Sequence, residues 1–206
     1  WGDGIVHPHA MSHRFDYFGL KHVFGSFEQF VQDSQTHMAR SLHYEISSMR
    51  LRPEIGGYVI TELTDVHWEC NGLMTMQRAV KHNLDPILTS VNQDNVVIVR
   101  PQQWSGRPGE RVRVEVRAFG VDGPARSGSI EWCAGGEHGW LAAPGGIVEM
   151  LLPQPGMVPV EARWLDNGAL VAANQVEVAC VQPVVTPTPL RVLDDRGLSV
   201  TLRHLG

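Results

Sequence analysis

The chain has 206 residues, 43% of them hydrophobic and 19% charged, enough to bury one large core or two modest ones. Its formal net charge is −5 and its Lys and Arg residues are scattered singly, so there is no basic stripe for nucleic acid or anionic lipid and neither partner is expected. No apolar run approaches the roughly 20 residues that span a bilayer, and a chain opening on Trp1 rather than Met is expected to begin inside a longer protein.

Residues 1–25 are dense in Gly, Pro and His without helical or strand periodicity, and read as a loop. His7, His9, His13 and His22 lie there, but HPH lacks the i, i+4 geometry of a helical metal site, so no metal is expected. At Ser26 the pattern changes. Ser26 with Gln29 has the form of a capping box, and Phe27, Phe30, Val31, Met38, Leu42, Ile46 and Met49 recur at helical spacing, predicting a long amphipathic helix over 27–50. Pro53 and Gly56-Gly57 end it. Tyr58, Val59, Ile60 and Leu63 then form a short, nearly continuous apolar run, the pattern of a strand buried on both faces. Glu62, Thr64, Asp65, His67, Trp68 and Glu69 follow with no turn residue between.

From about Asn92 the runs VVIV, RVRVEVRAF, GSIEWC, IVEMLL, VPVEARWL and ALVAANQVEVACV come at short intervals, broken by Pro-Gly, Asp-Gly and Asn-Gly. Val112, Val114 and Val116 alternate with Arg111, Arg113, Glu115 and Arg117. The expectation is an antiparallel sandwich of about seven strands, immunoglobulin-like in size. Trp104, Trp132, Trp140 and Trp164 belong to it, with core packing as their default role. Cys70, Cys133 and Cys180 are odd in number and widely spaced. Free thiols and a cytoplasmic, reducing compartment are expected, with a Cys133–Cys180 bridge open only to an exported protein. PVVTPTPL (183–190) reads as a stiff linker. The boundaries are therefore 1–89, 90–182 and 183–206, the last a Pro-rich linker and the start of a following segment. The overall class is α+β.

The segment GYVITELTDVHWECNGLMTMQRAVK resembles the end of the catalytic barrel in family 2 glycoside hydrolases, the β-galactosidase, β-glucuronidase and β-mannosidase group. Gly57, Tyr58, Leu63, Asp65, Asn71, Gly72, Leu73, Arg78 and Lys81 carry the likeness. Thr61 departs from it, standing where the family often has an aromatic residue. The resemblance implies a partial (β/α)8-barrel end in residues 1–89, long helix plus buried strand, followed by an all-β immunoglobulin-like sandwich. It also implies a retaining, exo-acting β-glycosidase as the parent protein, with a carbohydrate substrate and no organic cofactor.

Strand ends at the C-terminal face of such a barrel point at the active site. Glu62, Thr64, Asp65, His67, Trp68 and Glu69 would then line a sugar pocket, the carboxylates accepting from hydroxyls and Trp68 offering a ring face. Asp65 has a second reading as the structural acceptor of the following turn. Arg78 and Lys81 are expected in surface ion pairs.

Retaining hydrolysis requires two carboxyl groups about 5–5.5 Å apart. The family's acid/base stands in an Asn-Glu pair and its nucleophile in a Glu-aromatic-Gly context, and neither occurs here. No catalytic residue is therefore assigned, and the chain alone is expected to be inactive. Glu62 and Asp65, three apart, face opposite sides of a regular strand and do not supply the pair. The alternative is a non-catalytic carbohydrate-binding or interaction module working through the sandwich. A barrel end without its other strands is expected to dock on the sandwich or on another copy, giving a possible homo-oligomer.

Overall fold

A computed structural model describes residues 8–66 and 69–182. The predicted helix is present as α3 (Phe27–Arg50), and half of the capping box forms: Ser26 Oγ accepts from the Gln29 N–H at 3.1 Å, while Gln29 Nε2 donates forward to Asp33 Oδ1 at 2.8 Å. Two helices precede it, α1 (Pro8–Tyr17) and α2 (Lys21–Phe24), where the sequence reads as a loop. The reason is visible in the packing. Phe15 is 3% exposed and its ring meets Phe27 and Phe30 at centroid distances of 5.8 and 5.7 Å, while Tyr17 and Phe18 face solvent. Apolar residues off the buried face erase the periodicity that would have announced α1.

Two sheets form the sandwich. One pairs β1 (Val96–Pro101) and β7 (Gly145–Leu151) with β3 (Arg111–Gly120), and the two-residue β4 (Gly123–Pro124) adds to the end of β3. The other has the order β2 (Ser105–Gly106), β9 (Ala169–Cys180), β8 (Gly156–Asp166), β5 (Ser129–Ala134), β6 (Glu137–Ala142). All pairings are antiparallel except β2 with β9. The alternation read in β3 is realised, with Val112, Val114 and Val116 wholly inside and Arg111 and Arg113 outside. They meet Val160, Ala162, Trp164, Val176 and Val178 from the opposite sheet in one core.

Asn167-Gly168 makes the β8–β9 turn with positive φ at both residues, +48° and +79°, the conformation that matches strand twist. Strand β6 lies outside the runs singled out in the sequence because Gly139 interrupts it. That glycine is what its position requires: a Cβ there would lie 2.8 to 3.0 Å from the Trp132 ring, which sits on the directly paired position of β5.

Strand β1 is clad on both faces. Val97 and Val99 point into the sandwich, whereas Val96 and Ile98 point outward into a second core with Met38, Ala39 and Ile46 of α3 and Leu84 and Leu88 of α4 (Leu84–Thr89). The helical layer thus docks on the sandwich, one of the two arrangements expected of it. The continuous apolar run that suggests a strand between two layers describes β1 well.

The same expectation for Tyr58–Leu63 is corrected. These residues form no strand, and no backbone hydrogen bond joins residues 57–61 to another segment among the described residues. A strand needs a partner edge, and among the described residues this run meets one only at Glu62 and Leu63. The fold is α+β, and the described residues do not show a barrel end.

Candidate functional site

Residues 58–64 alternate in burial with period two, and Asp65 breaks the alternation. Tyr58 and Ile60 lean on the α3–α4 core, Val59 and Leu63 face solvent, and Asp65 is buried. Tyr58 Oη also donates to Asn92 Oδ1 at 2.7 Å. Past Glu62 the chain meets residues 72–81. Glu62 and Leu63 carbonyls accept from the Leu73 and Met74 N–H groups, Asp65 N–H donates to the Met74 carbonyl, and Val66 and Glu69 exchange two backbone hydrogen bonds.

Asp65 organises this loop. Its Oδ1 accepts from the Gly72 N–H at 2.9 Å and from Lys81 Nζ at 2.7 Å, with both side chains of the pair fully inaccessible to solvent. Lys81 also donates to the Cys70 carbonyl at 2.8 Å. The surface ion pair expected of Lys81 is instead a buried one, because the chain folds back and covers it. Gly72 sits so close that a Cβ would lie 2.4 Å from the Asp65 nitrogen and 2.4 Å from the Thr64 carbonyl carbon. The Asp, Asn-Gly and Lys of the family-like segment are thereby drawn into one staple, and Asp65 fills the structural role that its second reading gave it.

Of the other site candidates, Thr64 is half-buried and pairs by a parallel bridge with Met74. Glu62 is half-buried with Oε1 buried and unbonded, as are Asp65 Oδ2 and Asn71 Oδ1. Glu69 is exposed and accepts from Asn71 Nδ2 at 3.0 Å. His67 and Trp68 lie outside the described residues, as does His7. The loop therefore gathers acceptor oxygens on a rigid frame, which is chemistry for receiving hydroxyl donors. Among the described residues no group of three His, Cys, Asp or Glu side chains is placed to hold a metal ion. The cysteines are free; Cys133 and Cys180 lie on β5 and β9 with β8 between them, too far apart to bridge.

A second concave region was not anticipated. A cleft of about 810 Å³ lies between α3, α4 and the β8–β9 face. At its floor His43 is 7% exposed, with Nε2 2.9 Å from Asn174 Oδ1, and Asn174 Nδ2 donates to the Val97 carbonyl at 2.9 Å. Burial lowers the His43 pKa below the usual histidine value, opposed in part by the Asn174 hydrogen bond. On one wall the Tyr44 and Trp104 rings meet edge to face at 5.7 Å. Behind them the Arg100 guanidinium lies 4.6 Å over the Tyr44 ring and donates to Tyr44 Oη and Ser48 Oγ. Gln35, His43 and Ser47 are buried polar residues on the apolar stripe of α3, and that misplacement was the available signal. Trp104 and Asn174 gave none, since each reaches the cleft from a distant element.

No family model and no curated protein matches the chain. Among solved structures it is similar to a polysaccharide lyase, with 17% identity, 44% of this chain and 12% of that one covered, and a TM-score of 0.33. It is also similar to the PKD domain of the human VPS10 domain-containing receptor SorCS2 (20% identity, 46% and 77% covered, TM-score 0.36). A third likeness is to the sporulation control protein Spo0M of Bacillus subtilis (13%, 44% and 51%, TM-score 0.31). The chain thus spans about an eighth of the lyase and half of Spo0M, and likenesses this partial assign no function.

Proposed function

We propose that this chain is the C-terminal, non-catalytic part of a retaining β-glycosidase, in which residues 57–69 contribute one wall of the sugar pocket and the sandwich holds that wall from behind. The observation that carries the reading is the segment Tyr58–Asp65. Its inward residues pack on the helix layer, while Val59 and Leu63 stand 90% and 57% exposed, and among the described residues the backbone of 57–61 is unpaired. An apolar outer face and free ladder groups are what a strand retains when its neighbours belong to another segment. In a barrel, that outer face turns toward the interior. Glu62 and Glu69, which flank Asp65 in the sequence, would then stand at the strand's far end, where acceptors for sugar hydroxyls belong.

The test is hydrolysis of aryl β-glycosides by this chain alone and by the polypeptide encoded together with the reading frame upstream of Trp1. The chain alone is expected to release no aglycone and the longer polypeptide to release it with retention at the anomeric carbon. Inversion, or inactivity of the longer polypeptide on every β-glycoside, overturns the proposal.

The self-contained sandwich core favours a second reading, a carbohydrate-binding module that works without a barrel. Saturable glycan binding by a chain whose longer form lacks hydrolysis decides for it.

A further inference from the structure

We infer that the cleft between α3 and β9 is a second glycan-binding site, taking a neutral oligosaccharide, and that it is separate from the 57–69 wall. No described residue from 57 to 69 lines it. Its volume of about 810 Å³ falls among small-molecule sites, which run from roughly 300 to 1,000 Å³.

The lining has two kinds of surface. Tyr44 and Trp104 are 42% and 38% exposed, large rings left part-open rather than sealed into a core, and Ile87 and Met157 extend the apolar floor and rim. Beside them Arg40, one helical turn before Tyr44 on α3, forms an ion pair with Glu177 of β9 at 3.2 Å, and both remain partly solvated, at 64% and 36% side-chain exposure. Charges that already neutralise each other do not select an anion or a cation. They still offer guanidinium donors and carboxylate acceptors to groups that both give and take hydrogen bonds. A pyranose has this dual character, with a face of C–H groups for an aromatic ring and an equator of hydroxyls.

The aromatic wall is also fixed before any ligand arrives. Tyr44 is held by Arg100 through its hydroxyl and its ring face, and His43 anchors the same turn of α3 to Asn174. Side chains already immobilised lose little freedom on binding. The existence of a site rests on this geometry, whereas the choice of a sugar as ligand rests on the function proposed above.

The experiment titrates the 206-residue chain with cellohexaose, xylohexaose, mannohexaose and chitohexaose, following tryptophan fluorescence and calorimetric heat. Saturable binding to at least one is expected. Trp104→Ala and Met157→Glu should each weaken it by about tenfold or more, with circular dichroism and melting unchanged. Met157 is exposed on β8, so its replacement carries the test if the Trp104 variant fails to fold. Trp140→Ala, at an exposed position on β6, should bind normally. Absence of binding to all four sugars, or undiminished binding in Met157→Glu, overturns the inference. Hydrolysis by the longer polypeptide without hexaose binding removes this site and leaves the glycosidase reading standing. Binding without hydrolysis does the reverse.

Discussion

Lys81 Nζ lies 2.7 Å from Asp65 Oδ1, and neither side chain touches solvent. Taking one partner away leaves an uncompensated charge in a low-dielectric setting. Lys81→Met should destabilise the chain by roughly 3–5 kcal/mol, read from urea denaturation. The double variant Asp65→Leu with Lys81→Met should lose less than Lys81→Met alone, since the stranded carboxylate is then gone. Equal stability of Lys81→Met and the parent would show that the pair contributes nothing.

Gly72→Ala places a methyl group where the backbone of Thr64 and Asp65 already stands. The loop must shift, at a cost of about 1–3 kcal/mol. Gly56→Ala is the control, with open space around its Cβ and an expected change within about 0.5 kcal/mol. Thermal melts of the two variants should separate clearly.

His43 links stability to pH. Its folded pKa lies below the 6.5 of the free side chain, so below that pH the unfolded chain binds a proton that the folded chain resists. The contribution is fully present above pH 6.5, erodes as the pH falls, and stops eroding below the folded pKa. His43→Gln keeps a donor for Asn174 Oδ1 but cannot titrate, and its melting temperature should depend less on pH in this window. An NMR titration placing the His43 imidazole at or above 6.5 contradicts the prediction.

Ile98 is wholly buried on the helix side of β1. Ile98→Ala should cost about 2–5 kcal/mol, as buried Ile truncations do. Far-ultraviolet circular dichroism at the helix band and tryptophan fluorescence from the sandwich should report one shared transition, before and after substitution. Two separated transitions would mean that the helical layer and the sandwich fold independently.

Val59→Lys distinguishes packing within this chain from packing against an absent neighbour. With Val59 at 90% exposure, the substitution should change the stability of this chain by no more than about 0.5 kcal/mol. Under the proposed glycosidase reading, where residue 59 would face a barrel interior in a longer polypeptide, the added charge should abolish activity or soluble expression. Full activity there would mean that residue 59 faces water in both.

Local patterns made part of this architecture legible. The 3.6-residue period and the Ser26 cap marked α3, and the Val/Arg alternation marked β3, because each signal is complete within ten or twenty residues. Non-local relations were harder to see. Tyr58–Leu63 has the composition of a strand, but whether it is one depends on partners elsewhere. Lys81 looked like a surface residue because its partner lies sixteen positions away. The cleft was invisible for the same reason: Tyr44, Trp104 and Asn174 meet only after the helix has settled on the sheet.

Since β1 is sheathed by helix on one side and by the opposite sheet on the other, the composition change near residue 89 is not a place where evolution or an engineer can cut cleanly. A sandwich transplanted without α3 would carry Val96 and Ile98 uncovered to its new host, an invitation to aggregate. A piece meant to keep both faces of β1 covered must therefore carry α3 along with the sheet it shields.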